Sequence, residues 1–281
     1  MAAGCERGRG GGAVIFMLGT HEPHWLAEPR FADVPLFVAR QRLANRKTLP
    51  RAVGSFALDS GGFTELQKHG RWTVSPAQYV AEVRRFRDEV GGLLWAAPQD
   101  WMCEPWVISG GKPPGGRTTF AGTHLSIAEH VRRTVENFLE LRALAPELPF
   151  IPVLQGWTLG DYLDCAELYE RAGVRLREER LVGVGTMCRR QNTIRAGMIL
   201  SDLASEGLRL HGFGLKTEGI RLYGHHLASA DSLAWSDHAT HHPPLDGHDR
   251  PGPGRRTGHR HCNNCPDFAL EWRDRVLAAA A

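Results

Sequence analysis

The feature that most constrains the fold of this chain is a repeated alternation of short apolar segments with longer stretches of helical pattern. The segments are four to six residues long and mostly apolar on both faces, as expected of parallel strands that are covered by helices. They are Val14–Leu18, Leu36–Ala39, Val53–Leu58, Gly92–Ala97, Phe150–Leu154, Leu181–Val184, Arg209–Phe213 and Leu227–Ala230. Eight strands over about 230 residues predict an α/β fold, a (β/α)8 TIM barrel. A doubly wound parallel sheet is the alternative, which periodicity alone does not exclude.

Start and stop signals in the intervening stretches support this alternation. Ser75–Gln78 and Ser126–Glu129 both fit the capping-box pattern, in which a serine and a Gln or Glu three residues later satisfy free backbone N–H groups. Helices are predicted from Thr158 to Ala172, from Gln191 to Glu206, and over Asp267–Ala279 near the end of the chain.

Composition places the chain among ordinary soluble globular proteins. The 34 Lys and Arg residues exceed the 31 Asp and Glu residues by only three, which is too little to indicate nucleic-acid binding by charge alone. No segment approaches the roughly 18 to 20 apolar residues of a membrane span, and no export signal is recognisable. The cysteines are scattered except for Cys262 and Cys265, as expected of reduced thiols. We therefore expect a cytoplasmic protein.

A change in composition near residue 240 divides the chain into two predicted parts. Residues 13–240 are predicted to form the barrel, and residues 241–281 a Gly/Pro/Arg-rich loop, a candidate zinc site and a helix packed on the barrel. Arg250, Arg255 and Arg256 lie in this loop with no acidic residue among them. Uncompensated positive charge in a flexible loop favours contact with nucleic-acid phosphates.

Polar residues and glycines follow the predicted strands at the end where a barrel carries its active site. In chain order they are Asp59-Ser60-Gly61-Gly62, Asp100, Gln155-Gly156, Gly185-Thr186 and Asp231. An isolated Asp-Ser-Gly-Gly is ordinarily a turn, and Asp100 or Gln155 alone could serve only the backbone. Their recurrence at the ends of different strands favours one shared site instead.

The motif Asp59-Ser60-Gly61-Gly62-Phe63 resembles that of the tRNA-guanine transglycosylases. The resemblance continues in order through Asp100, Gln155-Gly156, Gly183–Gly185, His211–Gly214 and Asp231. It covers about residues 14 to 265. The short chain and the segments Leu36–Ala39 and Ser229–Trp235 are most similar to the branch that inserts 7-deazaguanines into DNA, which lacks the C-terminal RNA-binding additions of the tRNA enzymes.

The resemblance implies a base exchange without net hydrolysis, through a covalent aspartyl intermediate. It assigns Asp231 as the nucleophile and Asp59 as the acid/base. It also implies that Asp100 accepts from the N–H edge of the base, while Gln155 and the Gly185 amide bind its carbonyl. Ser60, Gly61 and Gly156 are the other implied substrate-binding positions. The implied partners are DNA, a free 7-deazaguanine such as 7-cyano-7-deazaguanine, and proteins of a DNA-modification system.

One departure from the family pattern concerns the nucleophile. The family has it as the second aspartate of an Asp-x-Phe-Asp run, and in that register this chain has Ala234. Asp231 and Asp237 are the available carboxylates, and we favour Asp231 because it follows a predicted strand. A transglycosylase acting on tRNA and a catalytically inactive nucleic-acid-binding barrel are the alternative functions.

A second departure concerns the zinc site that the resemblance implies. The family pattern is Cys-x-Cys-x-x-Cys with a later histidine, whereas the run His259–Cys265 keeps only the last two cysteines. We expect a structural zinc held by Cys262 and Cys265 with His259 or His261, and a fourth ligand from His238, His241 or His242. A relic of the family site that binds no metal is the alternative.

Overall fold

Eight parallel strands form one sheet in the structure, a computed structural model that describes residues 14–187, 190, 193–250 and 260–280. The strands are β1 (Ile15–Thr20), β2 (Leu36–Ala39), β3 (Phe56–Asp59), β4 (Leu93–Ala96), β5 (Val153–Leu154), β6 (Val182–Val184), β7 (Leu210–Gly212) and β8 (Ser229–Ser232). Their order is β4-β3-β2-β1-β8-β7-β6-β5. Strands consecutive in the chain are neighbours, except that β4 and β5 form the two edges, and β1 lies beside β8. This order differs from that of the doubly wound alternative.

The two edges of the sheet meet at one point. A single parallel bridge joins Ala96 in β4 to Phe150, just before β5. The Ala96 N–H donates to the Pro149 carbonyl at 3.0 Å, and the Ile151 N–H donates to the Ala96 carbonyl at 3.2 Å. The α/β class and the curled eight-stranded parallel sheet are therefore confirmed, while β4 and β5 share no longer ladder within the described residues.

Two of the strands are displaced along the chain from their predicted positions. β3 begins at Phe56 and includes Asp59, and β8 is shifted by two residues so that Asp231 lies inside it. The prediction that Asp231 follows its strand is therefore wrong. The strand tolerates this carboxylate because Asp231 pairs with Met17 of β1 while its side chain accepts a hydrogen bond from the Gly214 N–H.

The helices of the described residues lie between the strands and after the last one. They are α1 (Gly62–His69), α2 (Pro76–Val90), α3 (Pro105–Ser109), α4 (Ile127–Leu144), α5 (Leu159–Arg171), α6 (Ile194–Ser205), α7 (Thr217–Tyr223), α8 (Ala234–Thr240) and α9 (Pro266–Ala280). The capping box predicted at Ser75 and Gln78 is present, and Thr158 forms another with Asp161. At Ser126, the side chain accepts from the Glu129 N–H as a simple cap. None of these helices is both long enough and apolar enough to cross a membrane.

Side chains of alternate strand residues divide the core into two layers. Phe56 and Leu58 of β3 belong to the large cluster between sheet and helices, whereas Ala57 between them packs with Phe37 and Trp95 in a separate inner cluster. Because side chains alternate along a strand, Asp59 projects to the same side as Ala57, above this inner cluster. The inner cluster therefore forms an apolar floor beneath the strand ends.

The last helix packs against the beginning of the sheet. α9 contacts β1, α7 and α8, and the ring of Trp272 lies 5.8 Å from that of Phe16. Trp235 and Phe268, on either side of the predicted boundary at residue 240, belong to the same apolar cluster. The division into residues 13–240 and 241–281 stays a prediction about folding units.

Candidate active site and metal group

Asp59 ends β3, and its backbone geometry depends on the glycine two residues later. The Gly61 N–H donates to Asp59 Oδ1 at 3.1 Å, and the Gly61 carbonyl accepts from Gln41 Nε2 at 2.9 Å. Gly61 has φ +85°, and a Cβ there would lie 1.9 Å from Gln41 Nε2, so no other residue fits without rearrangement. Burial raises the pKa of Asp59 to about 6; the Gly61 hydrogen bond opposes this and the charge of Asp231 adds to it.

Ser60 has a buried hydroxyl beside this carboxylate. The residue is 1% exposed, and within the described part of the chain its Oγ has no hydrogen-bond partner. A buried hydroxyl without a partner is unfavourable, because it gives up its hydrogen bonds to water. A ligand bound beside Asp59 would supply the missing partner.

Asp231 is held from one side by a histidine that sequence analysis assigned no role. Asp231 Oδ1 accepts from the Gly214 N–H at 3.0 Å and lies 3.3 Å from His211 Nε2. His211 Nδ1 lies 2.8 Å from Ser229 Oγ, so a proton on Nε2 lets the serine donate to Nδ1. The His211 ring also packs edge-on against Trp95 at 4.6 Å. These contacts fix the carboxylate, and its Oδ2 has no hydrogen-bond partner in the described residues.

Asp237, the other carboxylate considered as nucleophile, has a different environment. Its side chain is 81% exposed on α8, and its nearest ionic partner is His241 at 3.9 Å. Asp231 is only 5% exposed. A preorganised carboxylate is the better nucleophile, so the geometry favours Asp231.

Asp100 and Gln155 form a hydrogen-bonded pair across the meeting edges of the sheet. Gln155 Nε2 donates to Asp100 Oδ2. Burial raises the pKa of Asp100 to about 7. The hydrogen bond from Gln155 lowers this pKa, and the charge of Asp59 raises it further. Gln155 is fully buried, so its amide is part of a fixed network.

Thr186 orients the Gln155 amide, and sequence analysis did not identify this role. Thr186 Oγ1 donates to Gln155 Oε1 at 2.7 Å and accepts from the Cys103 N–H at 2.9 Å. Thr186 has φ +56°, which is unusual for a β-branched residue. Because the hydroxyl bonds Oε1, the amide must present Nε2 to Asp100. A positive φ is not visible in sequence.

Packing in the structure explains why two of the positions expected to bind substrate are glycines. The Gly185 N–H donates to the Leu154 carbonyl at 3.0 Å, and the binding of a base carbonyl by this amide stays a prediction. This hydrogen bond belongs to the parallel pairing of Leu154 in β5 with Val184 in β6. Gly185 is still required, because a Cβ there would lie 2.1 Å from Gln155 Nε2. At Gly156, a Cβ would lie 2.8 Å from that of Asp161.

A group of three potential metal ligands lies in the segment after α8. His248 Nδ1 is 3.4 Å from Cys265 Sγ and 3.7 Å from Cys262 Sγ. Tetrahedral zinc with bonds of about 2.3 Å to sulfur and about 2.1 Å to nitrogen would give S···N separations of about 3.6 Å. The donor set and its spacing therefore fit a metal ion, and all three ligand atoms lie within 4.8 Å of one another.

The predicted histidine ligands differ from the one that the structure brings to the cysteines. His261 is outside the group, and its buried Nδ1 has no partner among the described residues. His259 lies outside those residues, as do Arg255 and Arg256, while Arg250 is exposed. A turn in which the His248 N–H donates to the Leu245 carbonyl at 2.9 Å brings His248 into the group. Only the composition of the loop, rich in His, Gly and Pro, could have suggested it.

Comparison with protein families tests the resemblance independently of this geometry. The family described as DpdA, DeoxyPurine in DNA protein A, matches residues 13–281. No curated protein matches the chain. The matched region contains all eight strands, the three strand-end aspartates and the His248–Cys262–Cys265 group. This family is the DNA 7-deazaguanine branch of the superfamily that the motif at residues 59–63 indicates, and the chain therefore belongs to the DpdA family.

Proposed function

We propose that this protein is a transglycosylase that exchanges guanine in DNA for a 7-deazaguanine base such as 7-cyano-7-deazaguanine. One observation carries the proposal: the Gly214 N–H holds Asp231 Oδ1, Oδ2 has no hydrogen-bond partner among the described residues, and Asp59 has a pKa of about 6 that the charge of Asp231 helps to raise. A carboxylate fixed in position and a nearby carboxyl group with a raised pKa suit a nucleophile and a proton carrier.

In the first step, Asp231 Oδ2 attacks C1′ of a deoxyguanosine in the DNA. A bond forms between this oxygen and C1′, and the C1′–N9 bond breaks with its electron pair going to the guanine. The protonated Asp59 donates its proton to the leaving base. The negative charge of Asp231 helps to hold the proton on Asp59. Esterification removes this charge, so the pKa of Asp59 falls and its proton is released as the ester forms.

In the second step, the ionised Asp59 removes the N9 proton of the incoming 7-deazaguanine. N9 attacks C1′, the ester bond breaks, and Asp231 regains its carboxylate. The return of this charge again favours a proton on Asp59, so the enzyme ends as it began. Free guanine and the modified DNA are the products, and no water is consumed.

Base recognition is assigned to Asp100, Gln155 and Ser60. An ionised Asp100 accepts from the N–H groups at the Watson–Crick edge, and the second hydrogen of Gln155 Nε2 binds the carbonyl. Ser60 Oγ gains a partner from the ligand. A base without this donor pattern leaves a buried charge unpaired, which accounts for selectivity.

We assign the metal group to a structural zinc held by His248, Cys262 and Cys265. Bound zinc would anchor the loop that precedes Cys262 and would take no part in the exchange. We also propose that the sheet functions as a closed TIM barrel, with residues 241–281 as its extension and Arg250, Arg255 and Arg256 as phosphate contacts. Partner proteins of a DNA-modification system remain part of this proposal.

Incorporation of labelled guanine tests the function directly. The purified protein should place label into guanine-containing DNA, and unlabelled 7-cyano-7-deazaguanine should displace it. Matched reactions with tRNA test the alternative substrate, because label in tRNA alone would replace DNA as the substrate. A protein that binds DNA and exchanges no base with either polymer would be the inactive barrel.

Formation and discharge of the covalent adduct should depend oppositely on pH. Formation needs protonated Asp59, which becomes scarce as pH rises above the pKa of about 6, whereas discharge needs the ionised form. Asp100 acts in both steps, so its ionisation changes both rates in the same direction. Single-turnover rates of each step should give a discharge-to-formation ratio that rises with pH. A ratio independent of pH would show that Asp59 does not transfer the proton.

Replacing Thr186 with valine should weaken base binding by about 5-fold or more, since a buried hydrogen bond to Gln155 is lost at about 1–3 kcal/mol. Valine keeps the β-branched shape, and Thr186→Ser, which keeps the hydroxyl, is the matched control. KM for the free base should rise in Thr186→Val while the Kd for DNA changes little. Equal behaviour of the valine and serine variants would contradict the orienting role.

A further inference from the structure

A large groove is lined by residues close in sequence to Gln155 and Gly214, the hydrogen-bond partners of Asp100 and Asp231. Its volume is about 1420 Å³, above the roughly 300–1,000 Å³ of a typical small-molecule pocket. Trp157 and Lys216 both line it. Trp157 is two residues after Gln155, and Lys216 is two residues after Gly214, so each pair of Cα atoms lies within about 7.6 Å. The groove therefore begins next to the site and has room for more than one base.

The charge of the groove suits a polyanion. Its lining includes the cationic side chains of Lys112, Arg117, Arg190 and Lys216. It also includes Asp237 and Glu218, and Glu218 is paired with Arg221 at 2.7 Å. The lining thus has more positive than negative side chains, as a phosphate-binding surface requires.

Two tryptophans form one wall of the groove. The rings of Trp106 and Trp157 have centroids 6.4 Å apart and are nearly perpendicular, and both residues are partly exposed. The Arg190 guanidinium lies 4.4 Å from the centroid of the Trp157 ring and donates to the Trp157 carbonyl at 2.6 Å. Arg190 is 7% exposed and forms no ion pair with a carboxylate in the described residues. The wall thus combines aromatic surface with a fixed positive charge.

We propose that this groove binds an unpaired DNA strand, with a nucleobase next to the exchanged deoxyguanosine stacked on Trp106. Neighbouring phosphates would lie against Arg190, Lys112 and Arg117. The proposal rests on the function above in one respect, namely that the bound strand delivers its deoxyguanosine to Asp231.

Two observations favour an unpaired strand over an intact duplex. Asp231 is only 5% exposed, so C1′ of a stacked, paired deoxyguanosine could not reach it. Aromatic side chains bind the faces of bases, and a duplex offers only base edges in its grooves. An opened or single-stranded segment offers both the reactive carbon and the base faces.

Binding of a fluorescently labelled 12-nucleotide DNA tests this proposal. Fluorescence anisotropy should give tighter binding of the single strand than of the matching duplex. Trp106→Ala should weaken single-strand binding by about 10-fold, whereas Trp106→Phe, which keeps a stacking face, should restore most of the affinity. Lys112→Ala and Arg117→Ala should each make the slope of log K against log[salt] shallower by about one unit. Arg171→Ala, which lies outside the groove, should leave this slope unchanged.

Equal affinities of the wild type, Trp106→Ala and Trp106→Phe would overturn the proposal, as would preferred binding of the duplex. Tighter binding of an RNA of the same sequence, sensitive to the same variants, would assign the groove to RNA and overturn it as well. Thermal melting shows whether each variant is folded. Binding is measured separately from base exchange. Unchanged DNA binding in the groove variants would contradict the groove alone, whereas absence of base exchange with normal DNA binding would contradict the proposed function alone.

Discussion

Replacing Asp231 with asparagine should abolish base exchange, with a loss of at least about 10⁴-fold. Asparagine keeps the size of the side chain and can still occupy the position between His211 and Gly214, but its amide cannot form the ester with C1′. The measurement is exchange of labelled guanine, together with denaturing gel electrophoresis of the protein–DNA adduct. Wild-type protein should give the adduct and Asp231→Asn none.

Two further variants complete this experiment. Asp237→Asn should retain activity because the Asp237 side chain is 81% exposed and is held only by the exposed His241 at 3.9 Å among the described residues. The reverse pattern would transfer the nucleophilic role to it. Asp59→Asn should lose exchange without losing stability. The pKa of Asp59 is raised in the folded state from 3.8 to about 6, so the folded state binds the proton more tightly than the unfolded one. The carboxylate therefore lowers stability as pH rises through this window, and asparagine removes the penalty at neutral pH.

Loss of the zinc ion or of its ligands should lower the free energy of unfolding by on the order of several kcal/mol. The reason is that a structural zinc binds only the folded segment, so its binding free energy stabilises the folded state. Purified protein should contain one zinc per chain. His248→Ala and Cys262→Ser should lose it, with a lower melting temperature. His241→Ala is the matched control, since His241 is exposed and lies outside the group.

Chelation should have the same effect on the wild type and little effect on His248→Ala, which has already lost the ion. A folded, active preparation without zinc would contradict the assignment and leave Cys262 and Cys265 as buried thiols. Retained zinc in His248→Ala would direct attention to His261, whose buried Nδ1 has no partner among the described residues.

The strands were predictable because each is a short apolar run, and local sequence carries that signal. Their exact ends were not, since β8 extends to include Asp231 only through hydrogen bonds from Gly214 and pairing with β1. Asp59, Asp100 and Gln155 were predictable as residues near strand ends. The roles of His211, Thr186 and His248 depend on partners distant in sequence or on backbone angles, which no local pattern specifies.

The meeting of β4 and β5 has a consequence for how substrate affects the fold. At this seam, two backbone hydrogen bonds join the sheet edges within the described residues, those of Ala96 with Pro149 and Ile151. Gln155 directly follows β5, Asp100 lies four residues after β4, and their side chains are hydrogen-bonded to each other across the same seam. A base that binds both side chains adds a cross-link between the least joined edges of the sheet. Under the proposed function, binding of the base would therefore also join the two edges of the sheet more firmly.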